Sequence, residues 1–495
     1  MIPTLGSLAD GIVAVPPGAE SLQLRGVALD SRRVRPGFLF AALPGSALDG
    51  RRFIADALAR GAAAVLLPEG ADWPEGVPAV PVLRSASPSS AIARIAARAA
   101  GPQPARIAAV TGTNGKTSTA DFVRQLWQLG GLRAASIGTL GVMSELETLP
   151  DIGPVLTTPD SVGLATLLAA LRQGGTDGVA IEASSHGLEQ HRLDGVSITA
   201  AGFSNLSRDH LDYHGTLERY RDAKLALFER LLPRGAPCCV NADMDAETLG
   251  RLRAVAEARG LSWRSAGIDG ETIRLREATP RPDGQILSVS VAGETREIRL
   301  ALPGRFQADN VLLALVLAAS GEDELPALLE RAPRLKGVRG RMELAATLPN
   351  GAGAYVDYAH TPDALERLLR SLRPHAEEGG GRLVAVFGAG GDRDRGKRPL
   401  MGEIASRLAD LAIVTDDNPR SEEPGSIRRA ILDAAPGAIE IGDRREAIAA
   451  GLEALRPGDV LVVAGKGHEQ GQIVGKEVLP FDDASVVRAL AGVAA

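Results

Sequence analysis

Ile107-Ala-Ala-Val110 runs directly into Thr111-Gly-Thr-Asn-Gly-Lys-Thr-Ser118, and the helix-like segment Thr119 to Gly130 follows. A short apolar run, a glycine loop and a periodic segment in that order predict a strand, a turn and a helix. Successive backbone N–H groups in such a loop, backed by the positive end of the helix, cradle phosphate oxygens. Lys116 is then placed to reach the terminal phosphates and Thr117 to hold Mg²⁺, which makes Gly112, Thr113, Asn114, Gly115, Lys116, Thr117 and Ser118 the candidate nucleotide-binding residues. The loop departs from the general P-loop pattern at one place, where Val110 rather than glycine stands five residues before Gly115. A plain glycine turn is the alternative, and the strand-loop-helix context favours the nucleotide.

Outward from this loop, short apolar runs alternate with helix-length periodic segments, the pattern of a parallel sheet. Strands are expected at Ala134 to Ile137, Gly178 to Glu182, Ile198 to Phe203 and Pro237 to Asn241. Alternation from Glu271 to Leu300 predicts a small antiparallel addition, and a helix is expected from Gln307 to Ala319. A second series begins after Gly340, with Tyr355 to Tyr358, Leu383 to Phe387, Leu411 to Thr415 and Val460 to Ala464. The Ala- and Pro-rich residues before about 100 carry strand-like Leu22 to Leu29 and Phe38 to Ala42. The expected fold class is therefore α/β in three domains. These are a smaller N-terminal α/β domain over 1–100, a central P-loop domain with a mostly parallel sheet over 101–336, and a C-terminal Rossmann-like domain over 337–495.

Length agrees, since 495 residues make roughly three domains. Hydrophobic residues at 45% and charged residues at 23% give enough apolar material for separate cores and exclude disorder. The net charge of -6 argues against nucleic acid as the main partner. The first basic residue is Arg25 and no apolar run approaches ~20 residues, so a cytoplasmic chain without membrane insertion is expected. Cys238 and Cys239 are the only cysteines, too few for a disulfide framework, and read as a reduced, buried strand.

On the predicted helix Leu217 to Leu232, the residues Leu217, Tyr220, Lys224, Phe228 and Leu231 share one face, so Lys224 stands where an apolar residue belongs. A snorkelling lysine is the ordinary explanation. Its neighbours suggest more. Glu182 ends a predicted strand, and Ser207-Arg-Asp-His-Leu-Asp-Tyr-His-Gly215 gathers acids and histidines. Glu182 and His210 are candidate Mg²⁺ ligands beside a nucleotide loop, whereas His191 and His214 read as ordinary hydrogen-bonding or surface histidines.

Taken together, Gly112-Thr-Asn-Gly-Lys-Thr117, Glu182-Ala-Ser-Ser-His-Gly187, Gln190-His-Arg192, Asn205-Leu-Ser-Arg-Asp-His210 and Tyr220-Arg-Asp-Ala-Lys224 closely resemble the Mur ligases over essentially the whole chain. The resemblance implies an ATP-dependent amide ligase acting on UDP-N-acetylmuramoyl-L-Ala-D-Glu through an acyl phosphate. It implies catalytic roles for Lys116, Glu182, His210 and Lys224, with Lys224 carbamylated and joining Thr117, Glu182 and His210 around Mg²⁺. Contacts to the UDP-sugar peptide carry over to Leu29, Ser31, Thr157, Thr158, Ser184, Gln190 and Arg192, and ATP contacts to Asn310, Arg341 and Asp357. Simpler roles remain open: Thr157-Thr-Pro-Asp160 could cap a helix, and Arg192 could form a surface ion pair. A monomer that closes from an open form on ligand binding is expected.

In the final block, polar sequences follow four predicted strands: Asp357-Tyr-Ala-His360, Gly388 to Lys397, Asp416-Asp-Asn-Pro-Arg420 and Gly465-Lys-Gly-His-Glu469. Open parallel sheets bind ligands outside these strand ends, so all four loops can face one crevice. Asp417-Asn418-Pro419-Arg420 is similar to the motif of family members that add meso-diaminopimelate. A guanidinium can hold the distal carboxylate of that amino acid bidentately, while it would repel the ammonium of lysine. By the same resemblance Arg393 is the companion carboxylate contact, with Gly465 and Glu469 at the distal polar groups. A lysine-adding ligase and a P-loop kinase or nucleotide switch are the rival readings.

Overall fold

The computed structural model describes residues 2–44 and 49–492, with 211 and 212 traced by backbone alone. The chain divides into two compact units, one of residues 1–265 with 316–320 and the other of 266–315 with 321–495.

The first unit opens on a four-stranded, all-parallel sheet of Gly26–Ala28, Phe38–Ala41, Ala62–Pro68 and Val82–Ser85, in that order. The strand expected from Leu22 is shorter, because Gln23 makes only an isolated bridge with Thr4. On one face the helix Pro88–Ala100 buries Ala91, Ile92, Ile95 and Ala96, spaced three and four apart, against Leu39, Leu66 and Leu83. The larger sheet of this unit runs Pro237–Asn241, Ala200–Phe203, Arg106–Thr111, Gly178–Glu182 and Ala134–Gly138 in parallel, with Gly141–Met143 antiparallel at the edge. Both faces of these strands are covered, and for that reason they read as unbroken apolar runs. Arg106–Thr111 lies between Gly178–Glu182 and Ala200–Phe203, both later in sequence, so the chain order reverses at its carboxyl end. Ligands of open α/β sheets bind at such a point.

One expected helix is different. The segment from Leu217 is α-helical only to Ala226, and Leu227–Leu231 is π-helical, closed by Leu232 N–H donating to the Leu227 carbonyl at 3.0 Å. The extra residue in this turn is common near functional sites. It leaves Tyr220, Lys224 and Phe228 buried on the inner face. Cys238 and Cys239 are free and buried in Pro237–Asn241, and burial pushes the Cys239 thiol up to about 12.

In the second unit, Ile273–Arg281, Gly284–Val291 and Glu294–Leu300 form the expected antiparallel meander. The helix after it runs Arg305–Ala318, of which residues up to 315 belong to this unit. A six-stranded sheet follows in the order Glu343–Thr347, Gly353–Asp357, Val460–Ala464, Leu383–Phe387, Leu411–Val414, Ile439–Glu440, parallel except at its first strand. Among the described residues no helix is long and apolar enough to cross a membrane.

Buried His375, on the helix Pro362–Glu378, joins the meander to this sheet layer: its Nε2 accepts from Gly304 N at 2.7 Å and its Nδ1 lies 2.9 Å from the Arg281 carbonyl. That pattern assigns the proton to Nδ1. Burial holds the folded-state proton affinity below the ordinary histidine value of 6.5. As pH falls below about 6.5 the unfolded chain therefore takes up a proton that the folded chain refuses, and stability is lost toward acid. The expected result is a thermal midpoint that falls between pH 7 and 5.5 more steeply for the native protein than for His375→Gln, whose side-chain oxygen can still accept from Gly304. Equal slopes by calorimetry would remove His375 from this role.

Candidate active site

Gly112 and Gly115 both have positive φ, 140° and 83°. At Gly112 there is no alternative to glycine, since a Cβ would lie 2.0 Å from the Ser204 hydroxyl. The loop is bound to the strand-end segment after Phe203: Thr113 N donates to the Asn205 carbonyl at 2.8 Å, Asn114 N to Asn205 Oδ1 at 3.0 Å, and Ser204 Oγ to the Asn114 carbonyl at 2.6 Å. Gly115 caps the helix Lys116–Leu129, which begins three residues earlier than its apolar periodicity and places Thr117 and Ser118 in its first turn. Lys116 Nζ folds back onto the carbonyls of Gly112 and Thr113, at 3.0 and 2.8 Å.

Lys224 reaches the same loop. Its side chain is buried, its Nζ donates to the Gly112 carbonyl at 2.6 Å, and it lies 4.3 Å from the Tyr220 ring centroid. The snorkelling alternative fails here, because the ammonium does not reach water. Burial first, and then the charge of Lys116, hold its proton affinity well below the usual lysine range. Glu182 is buried at the end of its strand, where Thr139 donates to it through N at 2.8 Å and Oγ1 at 3.2 Å and the Thr117 hydroxyl also bonds it. Desolvation outweighs these bonds and pushes its carboxyl up. A cation at Glu182 therefore fits. An unmodified Lys224 does not fit a metal site, since it adds positive charge beside Lys116, whereas its carbamate would supply oxygen ligands. Among the described residues no group of three or more His, Cys, Asp and Glu side chains is placed to hold a metal.

His210 adopts φ 51° and is exposed, its ring 5.0 Å from that of His186. His186 in turn lies 4.0 Å from Tyr213 and 5.4 Å from His214, centroid to centroid. His214 is buried and bonds Ser185 Oγ at 3.0 Å, as an ordinary histidine would. His191 bonds Asp194 at 2.9 Å.

The residues expected at the UDP-sugar peptide lie in two places in this unit. Thr158 Oγ1 bonds the Glu182 carbonyl at 2.7 Å and Ser184 Oγ at 3.0 Å, while Arg192 bonds the Thr158 carbonyl at 2.6 Å and Gln190 Oε1 at 2.7 Å. Thr157 Oγ1 is 3.1 Å from Thr139 Oγ1. These five residues thus form one network with Glu182. Asp160 caps the helix Ser161–Gln173 and Ser184 caps Ser185–Glu189. The capping alternative therefore holds for Asp160 itself and not for the threonines before it. Leu29 packs on the N-terminal core, and buried Ser31 bonds Asp56.

Asn310, Arg341 and Asp357 belong to the second unit. Buried Asn310 donates to Gln307 at 3.2 Å, Arg341 lies over the Tyr358 ring, and Asp357 accepts from Met342 N and Ala359 N at 2.7 and 2.8 Å. The four loops of this unit do leave one edge of the sheet, as the parallel register requires. Asp417 and Asn418 are buried, with Asn418 Nδ2 donating to Glu469 at 2.8 Å. Gly465, at φ 122°, leaves room for Asp417, whose Oδ2 would be 2.7 Å from a Cβ there. Burial pushes the Asp417 carboxyl up against the pull of Arg444 and Lys466. Arg420, at φ 52°, donates to the Gly391 carbonyl at 2.9 Å, and Pro419 follows Asn418 buried beneath it. Arg393 is exposed in the loop whose Asp392 accepts from Ser421 N and Oγ at 3.1 and 2.7 Å.

Sequence reasoning passed over Thr139, Tyr213, Arg444 and Lys466. Arg444 is buried and bidentate on Asp483, and it also holds the Ala464 carbonyl at 3.1 Å, fixing a strand end of the site. Lys466 carried a signal, since it stands two residues past the end of an apolar strand, between Gly465 and Gly467.

Family models match this chain in three stretches: Mur ligase family, catalytic domain, over 23–110; Mur ligase middle domain over 110–318; and Mur ligase, glutamate ligase domain, over 340–467. The chain belongs to the Mur ligase family and has its three-domain α/β architecture. Proteins named UDP-N-acetylmuramoyl-L-alanyl-D-glutamate--2,6-diaminopimelate ligase from Caulobacter vibrioides and Mesorhizobium japonicum are 53% and 50% identical to it. They match 96% and 95% of this chain and 97% and 95% of their own. A solved structure of the same name is 33% identical, with a TM-score of 0.78 over 99% of both chains.

Proposed function

We propose that this chain is the ATP-dependent ligase that joins meso-2,6-diaminopimelate to the γ-carboxylate of UDP-N-acetylmuramoyl-L-Ala-D-Glu in cell-wall precursor synthesis. The single observation that carries the amino-acid choice is Asp417-Asn418-Pro419-Arg420 past the carboxyl end of Leu411–Val414, beside Glu469. Arg420 and Arg393 take the distal carboxylate, and Glu469 and Asp417 the distal ammonium, with Gly465 admitting the chain close to the strand end. Residues up to about 100 anchor the UDP-sugar through Leu29 and Ser31, 101–336 serve ATP, and 337–495 the amino acid.

In the first step the γ-carboxylate oxygen bonds to the terminal phosphorus of ATP as the bond to ADP breaks. The neutral amine then attacks the acyl carbon, the C–N bond forms, phosphate leaves with its oxygen, and the amine's surplus proton is released. Gly112 to Ser118 orient the phosphates through backbone N–H groups, and Lys116 swings from the loop carbonyls to the transferring phosphoryl group, where charge is spread. The family resemblance assigns Asn310, Arg341 and Asp357 to ATP as well. Thr157, Thr158, Ser184, Gln190 and Arg192 hold the peptide end beside Glu182. Thr117, Glu182, His210 and carbamylated Lys224 would hold Mg²⁺, which supplies positive charge against the phosphate oxygens. The reading includes a cytoplasmic monomer.

A kinase or nucleotide switch would consume or bind ATP without the sugar nucleotide. The distinguishing measurement uses a nucleotide dipeptide labelled with ¹⁸O in its γ-carboxylate. One labelled oxygen is expected in the released phosphate, and label-free phosphate would exclude the acyl phosphate.

A further inference from the structure

Lys466, like Arg444, is a fully enclosed cation of the second unit that the reaction above leaves unused. Its side chain is 0% exposed, while that of its partner Glu469 is 35% exposed. An ammonium has three N–H donors, and all three are taken: Asn418 Oδ1 at 3.1 Å, Glu469 Oε2 at 3.2 Å and the Gly471 carbonyl at 2.5 Å. Nothing is left with which to touch a substrate, so any effect of Lys466 passes through these three acceptors.

Each acceptor leads to the amino-acid site. Asn418 Oδ1 receives Ile473 N at 2.9 Å besides Lys466, which fixes the amide so that Nδ2 faces Glu469 Oε2. Glu469 Oε2 thereby takes two donors, Asn418 Nδ2 and Lys466 Nζ. Gly471 opens the strand Gly471–Val474, paired antiparallel with Glu477–Pro480. That strand also grips the motif directly: Gln472 Nε2 donates to the Asp417 carbonyl at 2.8 Å, Arg420 N to the Ile473 carbonyl at 3.0 Å, and Gly475 N to the Arg420 carbonyl at 2.7 Å. Arg420 sits at φ 52°, a conformation that costs a non-glycine residue energy and persists only where surrounding bonds hold it.

We propose that Lys466 and the strand Gly471–Val474 form the positioning layer of the amino-acid site, setting the direction of Asn418, Glu469 and Arg420 from behind. The inference rests on the functional reading above. Lys466→Met keeps the chain length without the donors, and Gln472→Ala removes one bond from a half-buried surface side chain, so the fold is retained in at least the second variant.

Steady-state kinetics with each substrate varied in turn test this. Lys466→Met is expected to raise KM for diaminopimelate about tenfold or more, and Gln472→Ala several-fold, with KM for ATP and for the nucleotide dipeptide unchanged. An unchanged diaminopimelate KM in folded Gln472→Ala, or an equal rise in all three constants, would overturn the proposal. Should the native enzyme add a different amino acid, the functional reading fails, and the same comparison made with the accepted amino acid still decides the positioning role.

Discussion

Lys224→Ala is expected to lower turnover by about a hundredfold or more, and acetate or formate at high concentration to restore part of it. The loss follows from position. Lys224 is buried on the inner face of its helix, bonded to the Gly112 carbonyl of the phosphate loop, and shares its surroundings with Lys116. Two positive charges there would repel one another, and a bound Mg²⁺ would repel an unmodified Lys224 as well. On the functional reading above, carbamylation would convert the cation to an anion and remove that conflict. Truncation takes away the bond to Gly112 together with the proposed carbamate, leaving space that a small carboxylate would enter. Turnover within a few-fold of native would show that the carbamate has no part in the reaction. Lys224→Arg keeps a cation that cannot carbamylate, and it is expected to be as inactive as the alanine variant and without rescue.

Arg420→Ala is expected to raise KM for diaminopimelate by roughly thirtyfold or more, corresponding to the ~2–5 kcal/mol lost when one partner of a desolvated, hydrogen-bonded charge pair is removed. Its guanidinium bonds the Gly391 and Asn418 carbonyls through one nitrogen, which aims the fork that the functional reading assigns to the carboxylate. Arg420→Lys is expected to recover little, since a single ammonium cannot reproduce the planar fork. ATP affinity should not move in either variant. Native KM for diaminopimelate in Arg420→Ala would take this residue out of the site.

Strands were the most legible part of the chain. Pro237–Asn241, Gly178–Glu182, Leu383–Phe387 and Val460–Ala464 have the bounds that their apolar runs predict, because burial on both faces admits no polar residue until the strand ends. The phosphate loop and the four strand-end loops were legible for the same reason, as polar text placed where the sheet stops. The π-helical turn at Leu227–Leu231 was not, since Leu-Phe-Glu-Arg-Leu fits an α-helix equally well and the choice is made by what it packs against. Thr139 escaped notice because its partner Glu182 is 43 residues away, and Lys466 because its role depends on Asn418, 48 residues away. Lys224 was visible only as an apolar position filled by a charge; its contact with Gly112 spans 112 residues and needed the fold.

On the functional reading above, the amino acid this ligase adds is meso-diaminopimelate. Purified protein incubated with ATP, UDP-N-acetylmuramoyl-L-Ala-D-Glu and equal concentrations of meso-diaminopimelate and L-lysine, with products separated by mass, tests it most directly. The expected result is the diaminopimelate tripeptide as the dominant product, by about a hundredfold or more for a site built around a bidentate carboxylate contact. Efficient lysine addition without diaminopimelate addition would contradict it.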